Sequence, residues 1–434
     1  MSWSIADLEK WDKEVVELSR AANLDWFPIR YEICDYYTMI GHMSYHGMPT
    51  HYGHWSFGKS FERIHQSYNA GVSGLPYELI INADPSIAYL MRENPLYLQV
   101  LIMAHCVGHS DFFKNNATFK NTDPDIIVSR MRNAKKRIQA YIEDPTIGID
   151  KVETIVTAAH AIQFQVPRNR MQSLTRDDQV TRLISRAEED ETDIDPETIE
   201  RIVIDPEYDL LSFIAENSRN MPDWKRDILE IVRMESNYFI PQIQTKIMNE
   251  GWASFWHYRT MHNLKLPDKM HLAFLKMHNL VIRPHMGGLN PYHLGFEMFR
   301  RIEERFGLDE CFIARESLND SSFLLSYLTR KDCEDLGLFS FSLKRKVGYL
   351  IKEISDEDGW KVIRSSLVKN VGTNAMPVIY AVDVDKEFTL RLQHEHDGRD
   401  LELEHADQVV EHIKTLWGDD VKLSTVIEEE PWEF

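Results

Sequence analysis

Asn94-Pro-Leu-Tyr-Leu-Gln-Val-Leu-Ile-Met-Ala-His105-Cys-Val-Gly-His109-Ser-Asp-Phe-Phe113 holds the most apolar run of the chain, Leu96 to Val107. Asn94 as N-cap and Pro95 at the first helical position predict where a helix starts. Leu98, Ile102, His105, His109 and Phe112 then recur at spacings of four, three, four and three. That rhythm puts both histidines on the inward face of one helix. The run contains Gln99 and His105 and falls short of the ~20 residues a membrane span needs, so it predicts a core helix.

A second helix is predicted from Pro241, where Ile243, Ile247, Glu250, Ser254, His257 and Met261 keep the same rhythm. Here a carboxylate sits on the face that should be buried, and an ionised Glu is almost never buried without a partner. Two imidazoles one helical turn apart reach a single ion, and a carboxylate from a second helix completes three ligands. His105, His109 and Glu250 are therefore a candidate metal site, with zinc as the default ion. A His₂-carboxylate set also suits non-haem iron. The spacing is not decisive, because random placement of this many histidines gives about 0.7 H-x-x-x-H pairs, and the chain has two, His42/His46 and His105/His109. In the plainer reading both histidines bond backbone carbonyls and Glu250 pairs with an Arg.

Outward from these helices, Ser4 with Asp7 forms an approximate capping box for a first helix. Asp25 to Ser60 is dense in aromatic, Gly and His residues and reads partly as loop. Glu78-Leu-Ile-Ile-Asn82 is strand-like, and Phe296 to Phe306 is an amphipathic helix closed by Gly307. Ala187-Glu-Glu-Asp-Glu-Thr-Asp-Ile-Asp-Pro-Glu197 is too charged to pack and marks an acidic insertion near 166–205. Past Asp309 the pattern changes: Pro377 to Val384 and Glu387 to His394 alternate as strands, Ala406 to Trp417 is helical, and Val421 to Ile427 is again a strand. The expected architecture is mainly α: a large helical region over 1–308, then a smaller α+β module over 309–434, with His394 and His396 on its surface.

Of 434 residues, 49 are Lys or Arg and 69 Asp or Glu, a formal balance of −20. Phosphate-backbone binders concentrate basic residues, so nucleic acid is not an expected partner. Cys34, Cys106, Cys311 and Cys333 lack C-x-x-C spacing and read as thiols in a reducing compartment. The opening decapeptide carries acid where a signal peptide is basic. The expectation is a soluble cytoplasmic protein.

Four stretches carry a resemblance. His42-Met-Ser-Tyr-His-Gly-Met-Pro-Thr-His-Tyr-Gly-His-Trp-Ser-Phe-Gly-Lys59, Ala104-His-Cys-Val-Gly-His-Ser-Asp-Phe-Phe-Lys-Asn-Asn116, Met248-Asn-Glu-Gly-Trp-Ala-Ser-Phe-Trp-His257 and Gly288-Leu-Asn-Pro-Tyr-His-Leu-Gly295 resemble the SpoVR family, the stage V sporulation protein R family of bacteria and archaea. The resemblance implies a link to spore cortex formation in spore-formers. It also implies, as partners, a PrkA-type serine kinase and a von Willebrand A-like protein encoded nearby. More distantly, His105-x-x-Gly-His109 followed by Glu250-Gly-Trp-Ala253 resembles zincin peptidases, in which H-E-x-x-H and a later E-G-W-A helix supply three zinc ligands. On that analogy the helical region is zincin-like, and His105, His109 and Glu250 are the ligands.

Where zincins carry the general base, this chain has Cys106, and a thiol of ordinary pKa ~8.5 cannot simply replace it. His51 and His54 are the first candidates to move protons instead, ahead of Glu32, Asp35 and Asp111. Tyr292 and His293 are candidates to stabilise an oxyanion, although Asn290-Pro-Tyr also suits a tight turn. His257 and Asp111 are candidates for an additional ligand or supporting contact, and a satisfied core histidine is the simpler reading of His257. Three functions are expected in turn. The first is a zinc-dependent hydrolase of an amide or peptide bond, with a peptide-like or cell-wall-precursor substrate. The second is a non-catalytic regulatory or scaffold partner of the kinase system. The third is a non-haem iron enzyme.

Overall fold

A computed structural model describes residues 3–69, 79–168, 175–284, 288–338, 340–344, 348–353 and 356–434. Glu78, residues 169–174 of the acidic segment and Gly287 lie outside them. The chain forms two compact units, one from 1–133 with 241–375, the other from 134–240 with 376–434. It is mainly helical, with a small β-containing C-terminal part. Among the described residues no helix is long and apolar enough to cross a membrane.

The first unit is organised round the histidine helix, Leu96–Asn115. Its sequence lacks charge from Leu96 to Ser110, and every residue from Leu98 to Phe113 is buried. The expected single inward face is therefore a whole buried circumference, as befits a helix apolar all round. Helix Ile5–Ala21 covers one side, entered through the expected capping box of Ser4 and Asp7. A three-stranded sheet lies near another side, with Ser86–Met91 central, parallel to Ile29–Cys34 and antiparallel to Leu79–Ile81.

The glutamate helix, Lys246–Asn263, packs on the histidine helix and on helix Pro291–Phe306. Its start differs from expectation: Pro241 lies inside the preceding helix, Asp223–Gln244, and Thr245 is the N-cap. Thr245 makes no side-chain cap bond. The buried carboxylate of Asp320 caps the helix instead, Oδ2 accepting from the Ile247 N–H at 2.8 Å and Oδ1 from the Met248 N–H at 2.9 Å. Helix Pro291–Phe306 begins earlier than its periodicity suggested, with Asn290 capping and Pro291 at its first turn. It ends at Gly307, whose φ of +93° suits a residue without a Cβ.

Two backbone crossings set the spacing of these three helices. A Cβ on Gly108 would lie 2.7 Å from Ala253 Cα. One on Gly251 would lie 2.4 Å from Gly295 Cα. Only glycine lets helix backbones meet so closely, and the histidine helix is thereby pressed against the glutamate helix within one turn of His105, His109 and Glu250.

The second unit holds a four-stranded sheet in chain order, Ile379–Val384, Leu390–His394, Val421–Ile427 and Glu430–Glu433. Its one parallel pair, Leu390–His394 with Val421–Ile427, is bridged by helix Leu403–Trp417, which packs on helix Ile149–Ala161. The alternating burial of both strands follows from their period-two patterning. His394, expected at the surface, is on the buried side of its strand and bonds Thr425 Oγ1 at 2.8 Å. Residues Glu188 to Asp193 of the acidic run are exposed, as their charge requires.

Candidate metal centre

His105 and His109 project from consecutive turns of the histidine helix, and Glu250 faces them from the glutamate helix. One ligand atom from each of the three lies within 4.8 Å of the other two. Glu250 Oε2 stands 3.4 Å from His109 Nε2 and 3.8 Å from His105 Nε2. A tetrahedral ion bonded at ~2.0–2.1 Å separates its ligands by about 3.3–3.4 Å, so the trio is close to ligating geometry. All three residues are buried. Among the described residues Glu250 Oε2 has no hydrogen-bond partner, an unusual position for a buried carboxylate oxygen. Those two observations are what a metal ion would satisfy, and the donor set of two imidazoles and a carboxylate fits zinc or iron.

Burial alone would raise the Glu250 carboxyl, but the Lys246 ammonium on Oε1 holds it well below the usual carboxylate range. Glu250 is therefore present as a carboxylate, the form that ligates. The Lys246 side chain is itself 58% exposed. Its ammonium lies 6.0 Å from the centre of the Tyr292 ring, and that ring stacks on His105 at 6.2 Å. Asn290 caps the helix that carries Tyr292, its Oδ1 accepting from the Tyr292 N–H at 3.0 Å. The turn reading of this motif holds.

Behind the trio, His109 Nδ1 bonds Asn249 Oδ1 at 2.8 Å. His105 Nδ1 meets His257 Nδ1 at 2.7 Å, and His257 Nε2 meets His278 Nδ1 at 2.8 Å. Burial, with the neighbouring imidazoles, keeps His257 well below its ordinary pKa and lowers His278 to about 4. Nothing in the local sequence pattern singles out Asn249 or His278. Asn249 adjoins Glu250, and His278 shares with Phe274, one turn earlier, the buried face of helix Asp268–Val281.

The other candidates lie differently. Asp111 Oδ2 accepts from the Trp252 indole and Oδ1 from the Asp25 N–H, each at 2.8 Å, with Arg315 Nε at 3.6 Å. Burial raises it to about 6, against the pull of Arg315. It tethers the histidine helix to the glutamate helix. Cys106 is wholly buried in the apolar core. His51 and His54 gather with Tyr45 and Tyr52 round Phe57, and His54 Nδ1 bonds Ser56 Oγ at 2.7 Å. His293 is half-buried, its pKa lowered by burial. Glu32 pairs with Arg30, and Asp35 caps helix Tyr36–Ser44.

The family model described as "SpoVR like protein" matches residues 2–376, and the one described as "SpoVR-like C-terminal domain" matches 378–428. The chain belongs to the SpoVR family. It is also 33% identical over 476 residues to a protein of Escherichia coli (strain K12) named "Uncharacterized protein YcgB", covering 97% of this chain and 92% of that one. No solved structure matches. The SpoVR match spans the histidine and glutamate helices, the Asn290-Pro-Tyr-His turn and the His42–Lys59 segment.

Proposed function

We propose that this SpoVR-family protein holds a zinc ion on His105, His109 and Glu250 and hydrolyses an amide or peptide bond. The observation that supports the reading is the convergence of two imidazoles and a buried, ionised carboxylate from two helices, with a tyrosine stacked beside them. A zincin-like relation is part of the proposal, because His105-x-x-Gly-His109 and Glu250-Gly-Trp-Ala253 fall on neighbouring helices. When bound, such an ion supplies Lewis-acid polarisation of a carbonyl and an activated water. In this reading Tyr292 donates its phenolic hydrogen to a developing oxyanion, with His293 beside it in the same turn. Lys246 keeps Glu250 ionised. Proton transfer falls to His51 or His54. The four buried thiols suit a reducing compartment, and a cytoplasmic site limits the substrate to a peptide-like molecule or a cell-wall precursor.

The test incubates the zinc-loaded chain with peptides and muramyl-peptide precursors and follows new amino termini by mass spectrometry. Tyr292→Phe is expected to slow turnover by roughly 10²–10³-fold with zinc content unchanged. His51→Gln or His54→Gln is expected to slow it as well.

Two observations favour a second reading: Cys106 replaces the zincin base deep in the core, and His51 and His54 are held in an aromatic nest. In that reading the ion is structural and the protein regulates or scaffolds the PrkA-type kinase system, with the von Willebrand A-like protein as its other partner. Zinc-loaded protein without turnover on any of these substrates selects it. Iron in anaerobically purified protein, with oxygen-dependent turnover, selects a non-haem iron enzyme.

A further inference from the structure

Two buried histidines stand in line behind His105, and neither is a member of the trio. An N···N contact of 2.7 Å between His105 and His257, or of 2.8 Å between His257 and His278, is a hydrogen bond only if one nitrogen donates and the other accepts. A neutral imidazole has one N–H and one lone pair, so the direction of one contact dictates the direction of the next. His105 can ligate through Nε2 only if its proton is on Nδ1. His257 Nδ1 must then accept, His257 Nε2 must donate, and His278 Nδ1 must accept.

We propose that His257 and His278 are positioning residues for the metal centre, holding His105 as its Nδ1–H tautomer so that the Nε2 lone pair faces the ion. The proposal rests on the trio being a metal centre. His109 reaches the same tautomer by a simpler device, its Nδ1–H donating to an amide oxygen. The terminal ring is itself fixed in place: Tyr258 and Phe296 pack on His278 with ring centroids at 4.7 and 5.1 Å. His278 and Phe274 are the two buried residues of helix Asp268–Val281. A polar ring in that position, two residues removed from the ion, has a use if it sets the direction of the chain. Outer partners of this kind orient ligand imidazoles and raise their basicity.

The test measures zinc affinity by chelator competition in the full chain, with circular dichroism and melting to confirm folding. An asparagine Oδ1 takes the place of a histidine Nδ1 as acceptor. His278→Leu is expected to weaken zinc roughly 10–100-fold, while His278→Asn keeps wild-type affinity. His257→Asn also keeps it, and makes His278→Leu silent in the double variant, because the chain then ends at residue 257. In ¹⁵N-histidine spectra of the zinc-loaded wild type, His257 and His278 should both be protonated on Nε2. The proposal is overturned if folded His278→Leu binds zinc like wild type, if His278→Asn is as damaging as His278→Leu, or if either ring is protonated on Nδ1. Wild type that binds no zinc overturns the underlying site. Wild type that binds zinc regardless of residue 278 overturns this proposal alone.

Discussion

Gly108→Ala is the substitution whose consequence can be followed furthest. The added Cβ would lie 2.7 Å from Ala253 Cα and 3.3 Å from Ala253 Cβ. Ordinary contact begins at 3.4 Å, so the two helices must part by about 0.7 Å or more at this point. The nearest atom is backbone, and no rotamer change relieves it. His105 and His109 lie on one side of that contact and Glu250 on the other, whereas metal–ligand distances tolerate only ±0.2 Å or so. The overpacking should cost about 1–3 kcal/mol of stability, and zinc affinity should fall by roughly 100-fold, the upper end of what losing supporting contacts costs a metal site. Adding Ala253→Gly removes the 3.3 Å contact and leaves the 2.7 Å one, so rescue should be partial. Chelator competition and thermal melting of wild type, Gly108→Ala and the double variant measure all of this. A Gly108→Ala protein that melts and binds zinc like wild type would refute the claim that this crossing sets the ligand spacing.

Two further perturbations probe the frame of the site. Burial raises Asp320 from 3.8 to about 7, against the pull of the Ile247 and Met248 amides. The folded chain thus holds this proton more tightly than the unfolded one, a contribution complete below 3.8 and lost as pH rises through about 7. The melting-temperature advantage of wild type over Asp320→Asn should shrink across that window, and a constant gap would contradict it. Trp252→Phe removes the indole N–H that bonds Asp111 and should cost about 1–3 kcal/mol by leaving a buried carboxylate oxygen unsatisfied. Denaturant unfolding reads the loss, and Asp111→Asn in the same background should recover part of it.

Periodicity carried the parts of this architecture that depend on one face of one element. His105 and His109 were legible as an inward pair, and Glu250 as a buried carboxylate, because each breaks an apolar rhythm that the rest of its helix keeps. The strand Leu390–His394 was legible for the same reason. What local sequence concealed were partners from elsewhere in the chain. Pro241 gives a sound helix-start signal, yet the glutamate helix begins at Lys246 because its cap, Asp320, comes from a distant segment. The parallel strand Ile29–Cys34 alternates polar with apolar residues amid aromatic ones, and its pairing with Ser86–Met91 is a tertiary fact. His278 lies on a helix whose other buried residue is Phe274, so it looks like core filler until its contact with His257 is seen.

Elemental analysis of the purified chain tests the proposed binding of one metal ion by His105, His109 and Glu250. Wild type should carry close to one equivalent of zinc or iron, and His105→Ala and Glu250→Ala should carry almost none while remaining folded. Full metal content in both variants, or none in the wild type after growth with added zinc and iron, would contradict it.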